Sequence, residues 1–388
     1  MVHDTRKLTD EMVLAHTRTV LKTHLTLQAD GTKCSTADLI DFLVGVSAQA
    51  CSLQAVGSER VSGPQPDTVR GYLNDQLQPA DLPARLQEVN AALVSQLPAR
   101  VRSQPADVAI DLHDRPYYGK LDQAEGRWVR GKAKAGTTRF HRVATAYVLQ
   151  PHGRVTLAVR VVQAGERQAA IVGDLLDQLE SLEIAVNCLY LDRGFDSIGV
   201  QQTIRARGLK AIIACSVRGQ TGGTRSLCVG PRSYRTHHNF HGDDHTRWEG
   251  EVAVCRVYTT KRRTGRAARQ AGWLLFILIG LNLTPRQVRR AYTRRFGIES
   301  SYRCANQVRG WTTSANVAYR FLLIGLSFVL TNVWVHLRWL FAQVPRRGRR
   351  KLRLSYFSLR RCARFIVQAL DRQRHVVTQI VALSTPRL

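Results

Sequence analysis

Acidic residues are scarce where basic ones are densest. Between Lys261 and Leu388 the only carboxylate side chains are Glu299 and Asp371, against 26 lysines and arginines, whereas residues 1–100 hold 9 basic and 11 acidic residues. Like charges in such excess repel one another unless a counter-charge is supplied, which argues against a merely solvated face. With a net charge of +28 and an isoelectric point near 10.7, the expected partner is a polyanion, nucleic acid first, because each phosphate contact releases condensed counterions.

Other absences narrow the class. The eight cysteines are scattered with no CxxC pair, which excludes a zinc ribbon and leaves them as small buried apolar residues. The piece from Thr236 to His245 is rich in histidine, but its spacing is too irregular for zinc. Met1 to Asp10 is polar and charged, so no signal peptide is expected and a reducing cytoplasm is the expected compartment. No long uninterrupted apolar run occurs: Tyr319 to Phe341 comes nearest, and Arg320, Asn332, His336 and Arg338 break it. Charges at membrane depth are costly, so a buried core helix is expected there and no membrane. No internal repeat is present, and the one low-complexity piece, Arg346 to Lys351, reads as a loop.

What remains is a chain of 388 residues, 44% apolar, long enough for a catalytic domain with appendages. Residues 1–104 read as short helices. Ser35-Thr-Ala-Asp38 is a capping signal, Cys51 to Val61 has helical spacing, and Asp67 stands as the N-cap of another helix. Helix, glycine-containing turn, helix is the outline of a DNA-reading helix-turn-helix. From Asp107 the period becomes extended. Val108-Ala-Ile-Asp111-Leu is an apolar run ending on a carboxylate, and His141 to Leu149 and Val155 to Val162 are further strands. Glu166 to Glu180 has helical spacing, and Val186 to Asp192 is a buried-type strand ending on a second carboxylate. A helix (Ser197 to Arg207) and a fifth strand (Lys210 to Ser216) follow. Strands flanked by helices predict an α/β layered core over residues 105–345, with a β-rich insertion at 217–270 and a basic helical tail at 346–388. Trp273 to Leu281 reads as a strand and Pro285 onward as a helix.

Two strand-terminal acids and one isolated acid are the chemistry-bearing set. Hydrolysis and transfer of phosphodiesters are served by two divalent cations that activate one oxygen and stabilise another, and carboxylates are the ligands such hard cations take. Asp111 and Asp192 end strands. Glu299 stands alone among arginines, and with Tyr292 and Arg295 it follows an i, i+3, i+7 spacing expected to place all three on one helix face.

At this point the sequence resembles a known family. Tyr292-x2-Arg295-x3-Glu299 is similar to the signature of IS4-like DDE transposases, in which a lysine follows the glutamate at the position held here by Asn306; Arg303 and Arg309 are the alternatives for its phosphate contact. Asp192-Arg-Gly-Phe195 resembles the family's Asp-x-Gly-aromatic motif, and Asp111-Leu-His-Asp-Arg-Pro-Tyr-Tyr-Gly119 its first-acid segment. The resemblance implies a ribonuclease H-like mixed sheet in which the strands bearing Asp111 and Asp192 are neighbours, and Asp111, Asp192 and Glu299 as catalytic ligands of two Mg²⁺ ions, with Mn²⁺ as the alternative. It implies cut-and-paste transposition of an insertion sequence: cleavage at terminal inverted repeats of double-stranded DNA, then strand transfer into target DNA, by a homodimer on paired ends in the cytoplasm at the nucleoid. Trp248, in preference to Trp273, is the candidate for stacking on a flipped base. Lys132, Lys134, Arg139, His141 and Arg142 on the first hairpin, with Tyr117 and Tyr118, are candidates for lining the DNA channel. The competing readings are a nuclease of the same fold without strand transfer and an inactive DNA-binding descendant.

Overall fold

The computed structural model describes residues 7–97, 99–122, 126–150, 153–242, 245–263, 266–344, 351–352 and 355–376. Met1–Arg6, Asp243–Asp244 of the histidine-rich piece and Arg346–Arg350 of the low-complexity piece lie outside them. Helices α1 (Asp10–His24), α2 (Thr36–Gln49), α3 (Leu53–Ser58), α4 (Pro66–Gln76), α5 (Leu82–Ser95) and α6 (Ala99–Arg102) come first. Strands β1 (Ala106–Pro116), β2 (Val129–Lys134), β3 (Thr137–Gln150) and β4 (Gly153–Val162) follow. Next are α7 (Gln168–Ser181), β5 (Val186–Leu191), α8 (Ile198–Ala206), β6 (Lys210–Cys215), β7 (Tyr234–His241), β8 (Arg247–Arg263) and β9 (Arg266–Ile279). The chain then runs through α9 (Pro285–Thr293), α10 (Gly297–Gln307), α11 (Val317–Phe341), β10 (Gln343–Val344), β11 (Lys351–Leu352) and α12 (Leu359–Arg374).

Two compact units emerge. One is drawn from residues 1–97, 119–125 and 302–388, the other from 98–118 and 126–301. The first is helical. Ser35 caps α2 by accepting from Asp38 N while the Asp38 carboxylate accepts from Ser35 N, the expected reciprocal box. α4 starts two residues earlier than the sequence suggests: Gln65 is its N-cap, Pro66 takes the first position and Asp67 lies in the first turn. Proline wins that position because its fixed φ suits a helix start and its missing N–H would have had no partner there. Gly57 permits the close approach, since a Cβ on it would lie 2.1 Å from the Pro66 ring.

The long helix α11 packs against α5 and α2 in this unit. It is long and apolar enough to cross a membrane, but 83% of its most apolar window is buried against protein, as a bundle's core helix is. Asn332, one of its interrupting polar residues, donates to the Leu93 carbonyl at 3.1 Å. α12, in the region read as a basic tail, packs on α1 and α2. An ion cluster ties these three helices: Asp41 on α2 is fully buried and accepts from Arg18 of α1 at 2.6 and 2.7 Å and from Arg374 of α12 at 2.9 Å.

The second unit is built on a nine-stranded mixed sheet. Its strands run β2-β3-β1-β5-β6-β9-β8-β7, with β4 paired to β3. β1, β5 and β6 are mutually parallel, and β3 is antiparallel to β1 and to β4. This is the ribonuclease H-like arrangement, with β1 and β5 adjacent. The central strands read as apolar runs because both faces are covered: α7 packs on β3 and β4, α8 on β6 and β9, α9 on β8. Val108, Ala109, Ile110, Leu189 and Leu191 are fully buried, each large aliphatic side chain contributing about 2 kcal/mol. Strands β7 and β8, from the segment read as an insertion, extend the same sheet: β9 pairs with β6 through its apolar end, Leu275 to Ile279, and carries β8 and then β7 beyond it.

Candidate active site

The parallel ladder between β1 and β5 runs to Ile110 opposite Leu191 and stops there. The next residue on each strand is an acid, Asp111 and Asp192. β1 itself does not end at Asp111, as the apolar run suggested, but continues to Pro116 on β3, with Asp111 opposite Thr145. β5 does end. The Asp192 side chain accepts from Gly194 N at 2.8 Å and caps a short 3-10 turn, Arg193–Phe195. A Cβ at Gly194 would meet the Asp192 carboxylate at 3.0 Å, so glycine is what lets the turn close on the acid. Phe195, fully buried, anchors the turn.

The third element is assembled differently from the expectation. Thr284 and Gln287 form a capping box that starts α9 with Pro285 at its first position. Val288 and Tyr292 are its buried residues. The helix ends at Thr293, a 3-10 turn spans Arg294–Phe296, and α10 starts at Gly297. Tyr292, Arg295 and Glu299 therefore sit on three successive segments rather than on one helix face. Tyr292 is buried and donates its hydroxyl to the Leu191 carbonyl at 3.1 Å, bracing the residue before Asp192. Arg295, 6% exposed, points one guanidinium nitrogen at both acids, 2.9 Å from Asp111 Oδ1 and 3.8 Å from Asp192 Oδ2. Glu299 is exposed.

Electrostatics tie the group together. Burial pushes the Asp111 carboxyl up to about 6 from an ordinary 3.8, Arg295 opposes that shift, and the negative charges of Asp192 and Glu299 add to it. Glu299 is thus near enough to be felt by Asp111. Among the described residues, however, no three histidine, cysteine or acidic side chains converge closely enough to hold a metal ion; Asp111 and Asp192 converge on Arg295.

The raised Asp111 makes stability depend on pH. The folded carboxyl keeps its proton up to about pH 6, whereas an unfolded one releases it near 3.8, so the folded state binds more protons in between. The resulting stabilisation is complete below 3.8 and is lost as pH rises through about 6; its size is about 3 kcal/mol at 1.36 kcal/mol per unit. Urea unfolding of the protein in EDTA should show this loss between pH 4 and 7, and Asp111→Asn should remove it. Were Asp111 a ligand of Mg²⁺, the ion would raise the unfolding midpoint at pH 7.5 and leave it unchanged at pH 4.5, because a protonated carboxyl is a poor ligand.

The remaining sequence candidates are dispersed. Lys132 and Lys134 are exposed on β2. Arg142 is held by Asp114, its cross-strand neighbour, at 2.5 and 2.8 Å, and His141 is buried with its ring against the Arg127 carbonyl at 2.8 Å. Tyr117 is buried and Tyr118 is 69% exposed. Trp248 is half-buried on β8, with the Arg205 guanidinium 5.3 Å from its ring centre. Arg303 and Asn306 are exposed on α10, four and seven residues on from Glu299 along one stripe of that helix.

Two supports were not found from the sequence. Arg294 donates to Asp107 at 2.8 Å and to the Tyr190 hydroxyl at 2.7 Å, tying the turn before Glu299 to β1 and β5. Asp196, nearly buried, accepts from Ser216 N at 2.8 Å and from Arg218 at 2.5 Å, clamping the turn that follows Asp192 to the end of β6. Its position four residues after Asp192 was the available signal.

Comparison with known proteins follows the same segment. The family model for the Transposase DDE domain matches residues 102–324, which contain Asp111, Asp192 and Glu299. No curated protein matches the chain. Among solved structures, that of the piggyBac transposase synaptic complex with hairpin DNA is similar, with a TM-score of 0.51 at 11% identity, covering 98% of this chain and 76% of that one.

Proposed function

Since the chain belongs to the family of transposases with a DDE domain, we propose that it cleaves double-stranded DNA at the terminal inverted repeats of an insertion sequence and joins the freed ends to target DNA. The observation that carries this reading is the pair Asp111 and Asp192, leaving one parallel ladder side by side and sharing the Arg295 guanidinium. A pocket with that negative charge calls for cations. By chemistry, though not by their present spacing, the donors suit Mg²⁺ or Mn²⁺: hard carboxylate oxygens from Asp111 and Asp192, with Glu299 as the third ligand, would hold two ions. When bound, the ions supply Lewis acidity to the attacking and leaving oxygens of the phosphodiester.

The protein's own groups prepare that centre. Arg295 balances the two aspartates and aims them, Tyr292 holds the end of β5, and the Gly194 turn keeps Asp192 fixed. Lys132, Lys134, Arg303 and Asn306 contact the DNA backbone, and Trp248 stacks on an unpaired base. Water attacks the scissile phosphate first, leaving a 3′ hydroxyl that then attacks target DNA. Both ends must be cut together, so the working form is a homodimer on paired ends, located with the DNA in the cytoplasm.

The test uses a duplex carrying the sequences that flank the gene, incubated with the purified chain and Mg²⁺ in the presence of a supercoiled plasmid. Cleavage that leaves 3′ hydroxyls, with flank–plasmid joints recoverable by sequencing and both products lost in EDTA, is the expected result. Cleavage without joints would reduce the protein to a nuclease, and no cleavage with either Mg²⁺ or Mn²⁺ would remove the reading.

A further inference from the structure

Helix α9 has a one-sided composition for which its packing gives no reason. Val288 and Tyr292 cover its inner face, while Arg286, Arg289 and Arg290 are all exposed and, spaced i, i+3, i+4, share the outer face. Among the described residues none of the three is paired with a carboxylate. The placement works against the helix itself. Like charges three and four residues apart destabilise it, and Arg286 stands in the first turn, where the helix dipole disfavours a cation. At the other end of α9 the following 3-10 turn exposes Phe296, 56% accessible, which meets Tyr292 edge-on at 6.2 Å. The turn that shows Phe296 outward is the one that turns Arg295 inward to Asp111.

From this placement we infer that the outer face of α9 is a DNA-backbone ridge, with Arg286, Arg289 and Arg290 on consecutive phosphates of the strand entering the site and Phe296 stacking on its first unpaired base. The inference rests on the proposed DNA cleavage and adds residues to it. The step from Arg286 to Arg290 advances about 6 Å along the helix, close to two axial steps of a DNA strand at about 3.4 Å each. Guanidinium groups suit phosphate oxygens by geometry as well as charge. A duplex supplies the counter-charge that makes three crowded arginines tolerable.

Fluorescence anisotropy with a labelled blunt 30-base-pair duplex over a salt series tests the ridge. For R286Q/R289Q/R290Q the duplex should bind about tenfold more weakly at low salt, and the slope of log affinity against log salt should shrink by about three. The charge-preserving R286K/R289K/R290K should keep the slope. Phe296→Ala should leave blunt-duplex binding unchanged and weaken binding of a duplex with an unpaired three-base end about tenfold. The glutamine variant should unfold at an equal or higher urea concentration, so a loss of affinity reports the surface and not the fold. Unchanged affinity and slope in that variant would overturn the ridge, as would a loss confined to phosphatidylserine vesicles. Either outcome is separable from failure of the cleavage reading, which is decided by whether the unaltered chain cuts DNA.

Discussion

Asp192→Asn leaves DNA binding within about twofold of the parent and lowers cleavage by about a thousandfold or more, on the scale of at least 4 kcal/mol of transition-state stabilisation. Asparagine keeps the shape of the side chain and an oxygen for the Gly194 N–H that closes the turn, so β5 and its cap stay in place. What goes is one negative charge beside Asp111, and with it a ligand for a divalent ion. The variant should also show Asp111 losing its proton at lower pH, since the charge of Asp192 is one of the causes that raise it. Rate measurements under single turnover, paired with anisotropy for binding, separate the two quantities. Cleavage at the parent rate would mean that Asp192 ligates nothing the reaction needs.

Asp41→Ala costs about 3–5 kcal/mol of stability, a loss characteristic of breaking a buried ion pair from one side. Asp41 has no exposed surface and holds Arg18 from α1 and Arg374 from α12, and Arg374 also reaches Asp38 at 2.6 Å. Removing the carboxylate leaves two largely covered guanidinium groups facing a cavity. Replacing Arg18, Asp41 and Arg374 together with leucine should recover part of the loss, because a well-packed apolar cluster substitutes for a buried ion network at small cost. Urea unfolding of the single and triple variants gives both values. A loss under about 1 kcal/mol in the single variant would class the network with exposed surface pairs.

The same ion cluster marks a limit of sequence reading. Residues 1–104 and 346–388 read as separate helical regions because nothing local connects Asp41 to Arg374, yet α1, α2 and α12 belong to one unit. The break between α9 and α10 was hidden for a related reason. The i, i+3, i+7 spacing of Tyr292, Arg295 and Glu299 fits a continuous helix, and the need of Tyr292 to reach Leu191 and of Arg295 to reach Asp111 decides otherwise. Local signals fared better wherever one short segment carried the whole cause. The Ser35–Asp38 box, Pro285 at a helix start and the apolar runs of β1 and β5 were all legible in windows of a few residues.

By itself the sequence determined a charge excess that calls for a polyanion, and the presence of one acid at each of two apolar strands and one among arginines. It determined the kind of the main core elements, since period and capping act between near neighbours. Only the tertiary structure decided that the ladder of β1 and β5 stops one residue before both aspartates, that a single arginine serves them, and that β7 and β8 prolong the same sheet. Those facts come from pairings between distant segments, such as Asp111 with Arg295, 184 residues apart, and the free energy that selects them is spread over the packed core and leaves no local mark.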